Sequence, residues 1–463
     1  MSGRAHEAGA LHQDMGHRGP EWLRAPADVN ALLPALWSRS VAREDDGELA
    51  VAGHRVGALA AQFGTPLFVL DVADFKARCR DFVTAFAGAD VFYAGKAFLS
   101  KAVVRWVAEC GLHLDVCTGG ELAVALAADF PPERLGLHGN NKSVAELGRA
   151  LDVGVGRIVV DSFDEIDRLT ALARERGVRP RVLVRTTCGV EAHTHEFIAT
   201  AHEDQKFGLS LSGGAALAAA LRIIDDGVLD LVGLHSHIGS QIFDTAGFEV
   251  AARRILGLAA QVRDARGVDL PELDLGGGFG IAYTSQDDPA SPKELADRMR
   301  AIVADECRAR ALPEPRLSIE PGRALIGPAM LTLYEVGTVK DVDGIRTYVS
   351  VDGGMSDNIR TALYGATYSA TLASRRSAAG PLLARIVGKH CESGDIVVSD
   401  EFLPSDVRPG DLVAVPGTGA YGRSMASNYN HVPRAAVVAV EGDEARVIVR
   451  RETEDDLLRL DVG

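Results

Sequence analysis

Between residues 91 and 322 the chain keeps one beat. A short apolar, β-prone run is followed by an amphipathic stretch with helical spacing, and the pair recurs. The strand-like runs fall at 91–96, 113–118, 134–139, 157–162, 181–186, 231–240, 272–279 and 316–322. Helix-like segments such as 121–130, 144–153, 163–176, 213–226, 248–266 and 292–310 lie between them. Eight alternations in roughly 230 residues match the size and rhythm of a (β/α)8 barrel of parallel strands ringed by helices. A doubly wound open sheet is the alternative, but no GxGxxG turn follows the first strand.

Past residue 323 the helical period fades. Alternating runs at 332–340, 347–352, 383–389, 396–399, 412–416, 435–440 and 445–450, separated by turns, predict an all-β domain. Ahead of the barrel, 58–64 reads as a short helix ending at Gly64, and 67–71 as a strand. The expected division is a polar tail at 1–26, a segment at 27–70 that adds to the β-domain, an α/β barrel at 71–328 and the β-domain at 329–463. His6, His12 and His17 lie in the tail and are read as solvated.

With 49 Lys and Arg against 64 Asp and Glu, the chain carries a formal charge of −15. That argues against a general nucleic-acid surface. No apolar run reaches membrane-spanning length, and the start lacks a signal-peptide core, so a cytoplasmic protein is expected. The six cysteines (79, 110, 117, 188, 307 and 391) show no paired spacing and no CxxC, which fits free thiols rather than a disulfide framework or a zinc site. No metal is expected.

A barrel places its reactive residues at the C-terminal ends of its strands. Polar and glycine-rich residues recur there: Lys96 after the first run, Asp115 after the second, His138 after the third, Asp161 after the fourth, His235, His237 and Ser240 after the sixth, Gly276, Gly277 and Gly278 after the seventh, and Glu320, Pro321, Gly322 and Arg323 after the eighth. A lysine at a buried strand end is costly to desolvate, and a Schiff base with an aldehyde cofactor removes that cost. Taken alone, such a lysine more often snorkels to solvent. The glycine triplet permits close backbone approach to a phosphate, and Ser240 can add a hydroxyl. Glu320 can face a protonated ring nitrogen and keep the ring an electron sink. His237 is placed to lie flat on a planar ring. Together these features specify pyridoxal phosphate.

Residues 93–97 (YAGKA), 233–241 (GLHSHIGSQ), 276–278 (GGG) and 320–323 (EPGR) resemble the signature blocks of the pyridoxal-phosphate decarboxylases of the alanine-racemase fold. Within that group, residues 352–360 (DGGMSDNIR), Tyr364, residues 390–395 (HCESGD) and 419–421 (GAY) are similar to the diaminopimelate-cleaving branch. The resemblance runs from about residue 71 onward and leaves out the tail.

It implies that Lys96 carries the cofactor, that His237 stacks on its ring, and that Gly278 and Glu320 to Arg323, with Gly322 among them, contact it. It implies substrate contacts at Arg323, Arg360, Tyr364, Glu392 and Tyr421, with Tyr421 also near the phosphate. Cys391, as proton donor, and Glu392, as a recognition carboxylate, would enter from the neighbouring subunit of a homodimer. The expected reaction is decarboxylation of meso-2,6-diaminopimelate to L-lysine. Guanidinium groups suit the distal carboxylate of that substrate and Glu392 its ammonium. An ornithine or arginine decarboxylase of the same fold is the alternative; it binds a distal cation, beside which Arg360 would be unwelcome. The stretch 188–205, with His193 and His195, is read as a lid or partner-facing loop.

Overall fold

The computed structural model describes residues 19–189, 205–343 and 345–463. The chain forms two compact units: one of Lys76–Gly280 and Pro289–Leu325, the other of the described residues up to Phe75 with Ile281–Asp288 and Ile326–Gly463. The stretch around His193 and His195 lies outside the described residues.

Strand β1 (Leu67–Asp71) belongs to the second unit. The first unit is built on β2 (Asp90–Ala94), β3 (His113–Val116), β4 (Leu135–Leu137), β5 (Arg157–Val160), β6 (Arg181–Thr187), β7 (Asp230–His235), β8 (Glu272–Asp274) and β9 (Arg316–Ile319). Each pairs in parallel with the next, and β9 pairs with β2 through Ile319 and Val91, so the ring closes. This is the eight-stranded barrel that the alternation predicted. Its strands are buried along most of their length, because the core and the outer helices cover both faces, and charged residues such as Asp90, Arg157, Glu272 and Arg316 stand at strand starts.

Helices Val144–Val153 and Pro292–Arg310 begin where the sequence placed them. Each has a capping box, Ser143 with Glu146 and Ser291 with Glu294, which satisfies backbone N–H groups that the first turn leaves bare. Most strand readings ran two or three residues long at the C-terminal end, so that Lys96 follows β2 rather than ending it, and two ran long by five. β7 stops at His235 rather than at residue 240, and β8 at Asp274 rather than at 279. Positive φ at Gly239, Gln241, Gly276 and Gly278 turns the backbone out of the extended region there. His237, Ser240 and the glycine triplet therefore sit on loops above the strand ends.

The second unit continues with β10 (Met330–Val342), β11 (Arg346–Val351), β12 (Pro381–Val387), β13 (Ile396–Pro404), β14 (Leu412–Pro416), β15 (Ala436–Glu441) and β16 (Glu444–Val449). The sheet runs β13-β12-β11-β10-β1-β15-β16, with β14 also on β10. β1 lies between β10 and β15, antiparallel to the former and parallel to the latter. Leu67 and Val69 of β1 pack with Leu331, Leu333 and Val438 in one core, which Leu36, Trp37 and Leu49 cover from the N-terminal segment.

Candidate active site

At the strand C-termini of the barrel a cavity of roughly 440 Å3 opens, lined by Lys96, Asp115, His138, Arg185, His235, His237 and Glu320 among others. That volume suits a small organic ligand. Local packing explains the small residues at its rim. A Cβ on Gly95 would lie 2.7 Å from the Asp115 carbonyl oxygen, and one on Gly322 would lie 2.9 Å from Ala94 Cβ. The Ala94 N–H donates to the Pro321 carbonyl at 3.2 Å. The exits of β2 and β9 thus run against one another, which brings exposed Lys96 and buried-end Glu320 into one cavity.

Glu320 Oε1 accepts from His235 Nε2 at 2.8 Å and lies 3.6 Å from His138 Nε2, which is itself 3.1 Å from Asp115 Oδ1. The two imidazoles meet edge-on at 5.2 Å. Burial pushes the Glu320 carboxyl up to about 7, partly opposed by His138. Burial, reinforced by the charge of Glu320, lifts Asp274 to about 7, and burial raises Asp115 well above the usual carboxylate range. Burial holds His235 and His237 well below the ordinary histidine value, so both rings are neutral near pH 7. The Gly277 N–H points at His237 Nδ1, 3.4 Å away, which fixes the proton of the neutral ring on Nε2.

The glycine triplet packs loop on loop. A Cβ at Gly276, Gly277 or Gly278 would come within 2.4, 2.1 or 2.3 Å of the carbonyl oxygens of Ser236, Glu320 and Gly239. Arg323, buried at the start of a short helix, donates from Nη2 to Ser240 Oγ at 2.8 Å. Sequence reasoning put Ser240 on a phosphate and Arg323 on cofactor and substrate; the two share one bond. Asp115 Oδ2 and His235 Nδ1 are buried without a hydrogen-bond partner among the described residues. A lysine amine, a neutral stacking imidazole, a buried carboxyl and two orphaned polar atoms around one cavity suit a planar heteroaromatic aldehyde.

The remaining expected residues lie in the β unit. Arg360 is buried, and its Nη1 donates to the hydroxyls of Tyr283 at 2.9 Å and Tyr368 at 2.5 Å. Its guanidinium is 5.0, 5.7 and 6.0 Å from the ring centres of Tyr283, Tyr368 and Tyr421. Among the described residues it has no carboxylate partner. Tyr364 is 64% exposed. Cys391 and Glu392 form an exposed turn, and no hydrogen bond joins either to Arg360 among the described residues. Tyr283 and Tyr368 escaped the sequence reading, since nothing local marks them. Arg185 escaped it too, although an arginine inside an apolar strand is a signal; its guanidinium lies 4.5 Å from the Phe207 ring centre. His138, His235 and Asp115 were noted as strand-end residues and given no role.

A family model described as the pyridoxal-dependent decarboxylase, pyridoxal-binding domain, matches residues 72–327. The barrel and its lysine-bearing cavity are therefore those of a pyridoxal-dependent decarboxylase. Among curated proteins, diaminopimelate decarboxylase of Mycobacterium tuberculosis is 60% identical over 443 residues, covering 93% of this chain and 98% of that protein. The enzyme of the same name from Bacillus subtilis is 48% identical, covering 90% and 95%. Among solved structures, diaminopimelate decarboxylase from M. jannaschii in co-complex with L-lysine superposes with a TM-score of 0.86 at 30% identity, covering 92% and 98%. A lysine/ornithine decarboxylase from Vibrio vulnificus complexed with cadaverine gives a TM-score of 0.71 at 25% identity, covering 83% and 97%. The chain belongs to the diaminopimelate decarboxylase family.

Proposed function

We propose that the chain decarboxylates meso-2,6-diaminopimelate to L-lysine and carbon dioxide, the last step of bacterial lysine synthesis, with pyridoxal 5'-phosphate held in the barrel. The observation that carries the substrate choice is Arg360, a buried cation whose hydrogen-bond partners among the described residues are two tyrosine hydroxyls and no carboxylate. A buried guanidinium is strongly favoured by an anionic partner, and the distal carboxylate of diaminopimelate supplies one. Ornithine and arginine do not.

The cavity residues fit the cofactor. Lys96 is the covalent anchor. Glu320, with His235 holding one of its oxygens, would hold the ring nitrogen. His237, which lines the same cavity, would hold the face of the ring. Gly277, Gly278, Ser240, Gly322, Arg323 and Tyr421 bind its phosphate and edges. When bound, pyridoxal phosphate supplies the electron sink for loss of carbon dioxide. Glu320 keeps a proton at the ring nitrogen. Arg360, Arg323, Tyr364, Glu392 and Tyr421 orient the two amino-acid ends of the substrate, Glu392 on the distal ammonium. Cys391 gives its thiol proton to the carbon that has lost its carboxylate.

Cys391 and Glu392 are assigned to the site of a partner subunit, so the working form is a homodimer. No described helix is long and apolar enough to cross a membrane, in keeping with a cytoplasmic enzyme.

The deciding experiment supplies pyridoxal phosphate and compares diaminopimelate, ornithine, arginine and lysine, following carbon dioxide and the amine product. Lysine formed from diaminopimelate alone supports the assignment. Turnover of ornithine or arginine overturns the reading of Arg360 and Glu392 and leaves fold and cofactor in place.

A further inference from the structure

The turn that carries Cys391 is held by a residue from a separate loop. The Cys391 backbone N–H donates to Asn430 Oδ1 at 3.1 Å. A backbone N–H only donates, so the amide oxygen and not its nitrogen faces the turn. The same oxygen is 3.3 Å from His390 Nδ1, which must then carry a proton. Nε2 of that ring is 2.8 Å from Ser356 Oγ and accepts from the hydroxyl when the ring is neutral. One amide oxygen therefore sets both the position of the Cys391 backbone and the tautomer of the histidine before it.

The loop behind this amide is itself fixed. Asn430 and His431 take φ values of +51° and +56°, the left-handed region that asparagine enters more readily than most residues. Asn428 Nδ2 donates to Glu452 Oε2 at 2.6 Å and to the Val432 carbonyl at 3.1 Å, and the Ser427 N–H donates to the Ser356 carbonyl at 2.9 Å. On the far side of the turn, Asp395 accepts from the N–H groups of His390 and Met355 at 2.7 and 2.6 Å. A backbone conformation of this kind, joined to an exposed thiol, marks a place where position matters.

We propose that Asn430 is a positioning residue for the Cys391 thiol: it pins the His390–Cys391 turn so that the thiol is presented in one pose for proton delivery. This rests on the reading of Cys391 as proton donor.

The test uses the full-length, cofactor-loaded enzyme and the variants Asn430→Gly, Asn430→Asp and Cys391→Ala. Glycine accepts the left-handed backbone and removes only the amide. Aspartate keeps an acceptor for the Cys391 backbone N–H at the same place. In Asn430→Gly, kcat per cofactor-bearing site should fall by about ten- to a hundredfold, the range expected for a misplaced reacting group, with KM little changed. Asn430→Asp should recover most of that loss. In Asn430→Gly the rate of alkylation of Cys391 by iodoacetamide at one fixed pH, followed by mass spectrometry of its peptide, should differ severalfold from the parent, and Asn430→Asp should lie closer to the parent.

A merely structural role would lower the cofactor content or Tm of Asn430→Gly and leave kcat per loaded site at the parent value, which would overturn the proposal. If Cys391→Ala is crippled and Asn430→Gly is normal, the proposal fails and the proton-donor reading stands. If Cys391→Ala turns over like the parent, both fail. Should Asn430→Gly not fold, a parent-like kcat per loaded site in Asn430→Ala is the overturning result.

Discussion

His235 Nε2 donates to Glu320 Oε1 at 2.8 Å, and the Nδ1 of the same ring has no partner among the described residues. A neutral imidazole has one donor to give, and here it is committed to a single carboxyl oxygen. The other oxygen of Glu320 is left for a ligand. The arrangement has a thermodynamic cost, because a buried carboxyl would rather be neutral than charged.

That cost is measurable through Glu320→Gln. Burial raises the Glu320 carboxyl from its usual 4.5 to about 7. The folded state then holds this proton more tightly than the unfolded chain. Its stabilising contribution is complete below about pH 4.5 and is lost as pH rises through about 7. The loss is on the order of 3 kcal/mol for this one group. Glutamine keeps an oxygen for His235 and does not titrate. Cofactor-free Glu320→Gln should therefore melt a few degrees above the parent at pH 8 and show no such gain at pH 4.5, while the loaded enzyme loses most of its turnover. Calorimetry at both pH values decides; equal melting points at pH 8 would count against a charged, buried Glu320.

Replacing Lys96 separates anchorage from stability. The side chain is exposed at the cavity mouth, so Lys96→Ala should shift stability by no more than about 0.5 kcal/mol. Added pyridoxal phosphate should then dialyse away, with no lasting visible absorbance. Retention of a covalent chromophore after borohydride treatment in Lys96→Ala would mean that another lysine carries the cofactor.

The barrel was legible because its signal is periodic. Short β-prone runs and long amphipathic ones alternate, and two helices start at capping boxes that can be read by eye, Ser143 with Glu146 and Ser291 with Glu294. The ends of β7 and β8 were not legible. Apolar residues recur past each end, Ile238 after β7 and Leu275 and Phe279 after β8, which passes for strand in the sequence, and the backbone leaves the extended region at Gly239, Gln241, Gly276 and Gly278. The candidate site divides in the same way. Lys96 and Glu320 announce themselves as charged residues at the ends of apolar runs. Tyr283 and Tyr368 do not, since their work on Arg360 depends on residues far apart in sequence meeting in space.

Those two tyrosines make Arg360→Gln informative. The parent guanidinium is oriented by both hydroxyls, and its anionic partner is assigned to the substrate. Removing one member of a desolvated charge pair costs several kcal/mol in binding. kcat/KM for diaminopimelate should fall by about 10²–10³-fold, mostly through KM. The two phenols lose a donor, so stability should drop by about 1–2 kcal/mol. Steady-state kinetics beside urea melts would separate the effects, and a loss confined to kcat would remove Arg360 from substrate binding.

The floor of the barrel sets its tolerance of acid. Arg157, at the start of β5, reaches Asp90 Oδ2 and Glu272 Oε2 at 2.5 Å each, and all three side chains are buried. Arg316 and Arg181 cap the same carboxylates from the starts of β9 and β6. Burial alone pushes Asp90 up, but the bonds from His113 and Arg316 and the charge of Arg157 overcome it and hold it well below the usual carboxylate range. The stability that Asp90 contributes is therefore full above its unfolded value near 4 and is lost as pH falls through its lower folded value. Arg157→Leu leaves two buried carboxylates without their shared cation, a change that typically costs about 3–5 kcal/mol. In urea at pH 7 the variant should unfold at a clearly lower midpoint. In acid it should also lose less than the parent between pH 5 and pH 3, because Asp90 keeps His113 and Arg316 but has lost the Arg157 charge that helped to hold its carboxyl down. A variant whose stability fell with acid as steeply as the parent's would show that this buried cluster does not govern the acid limit.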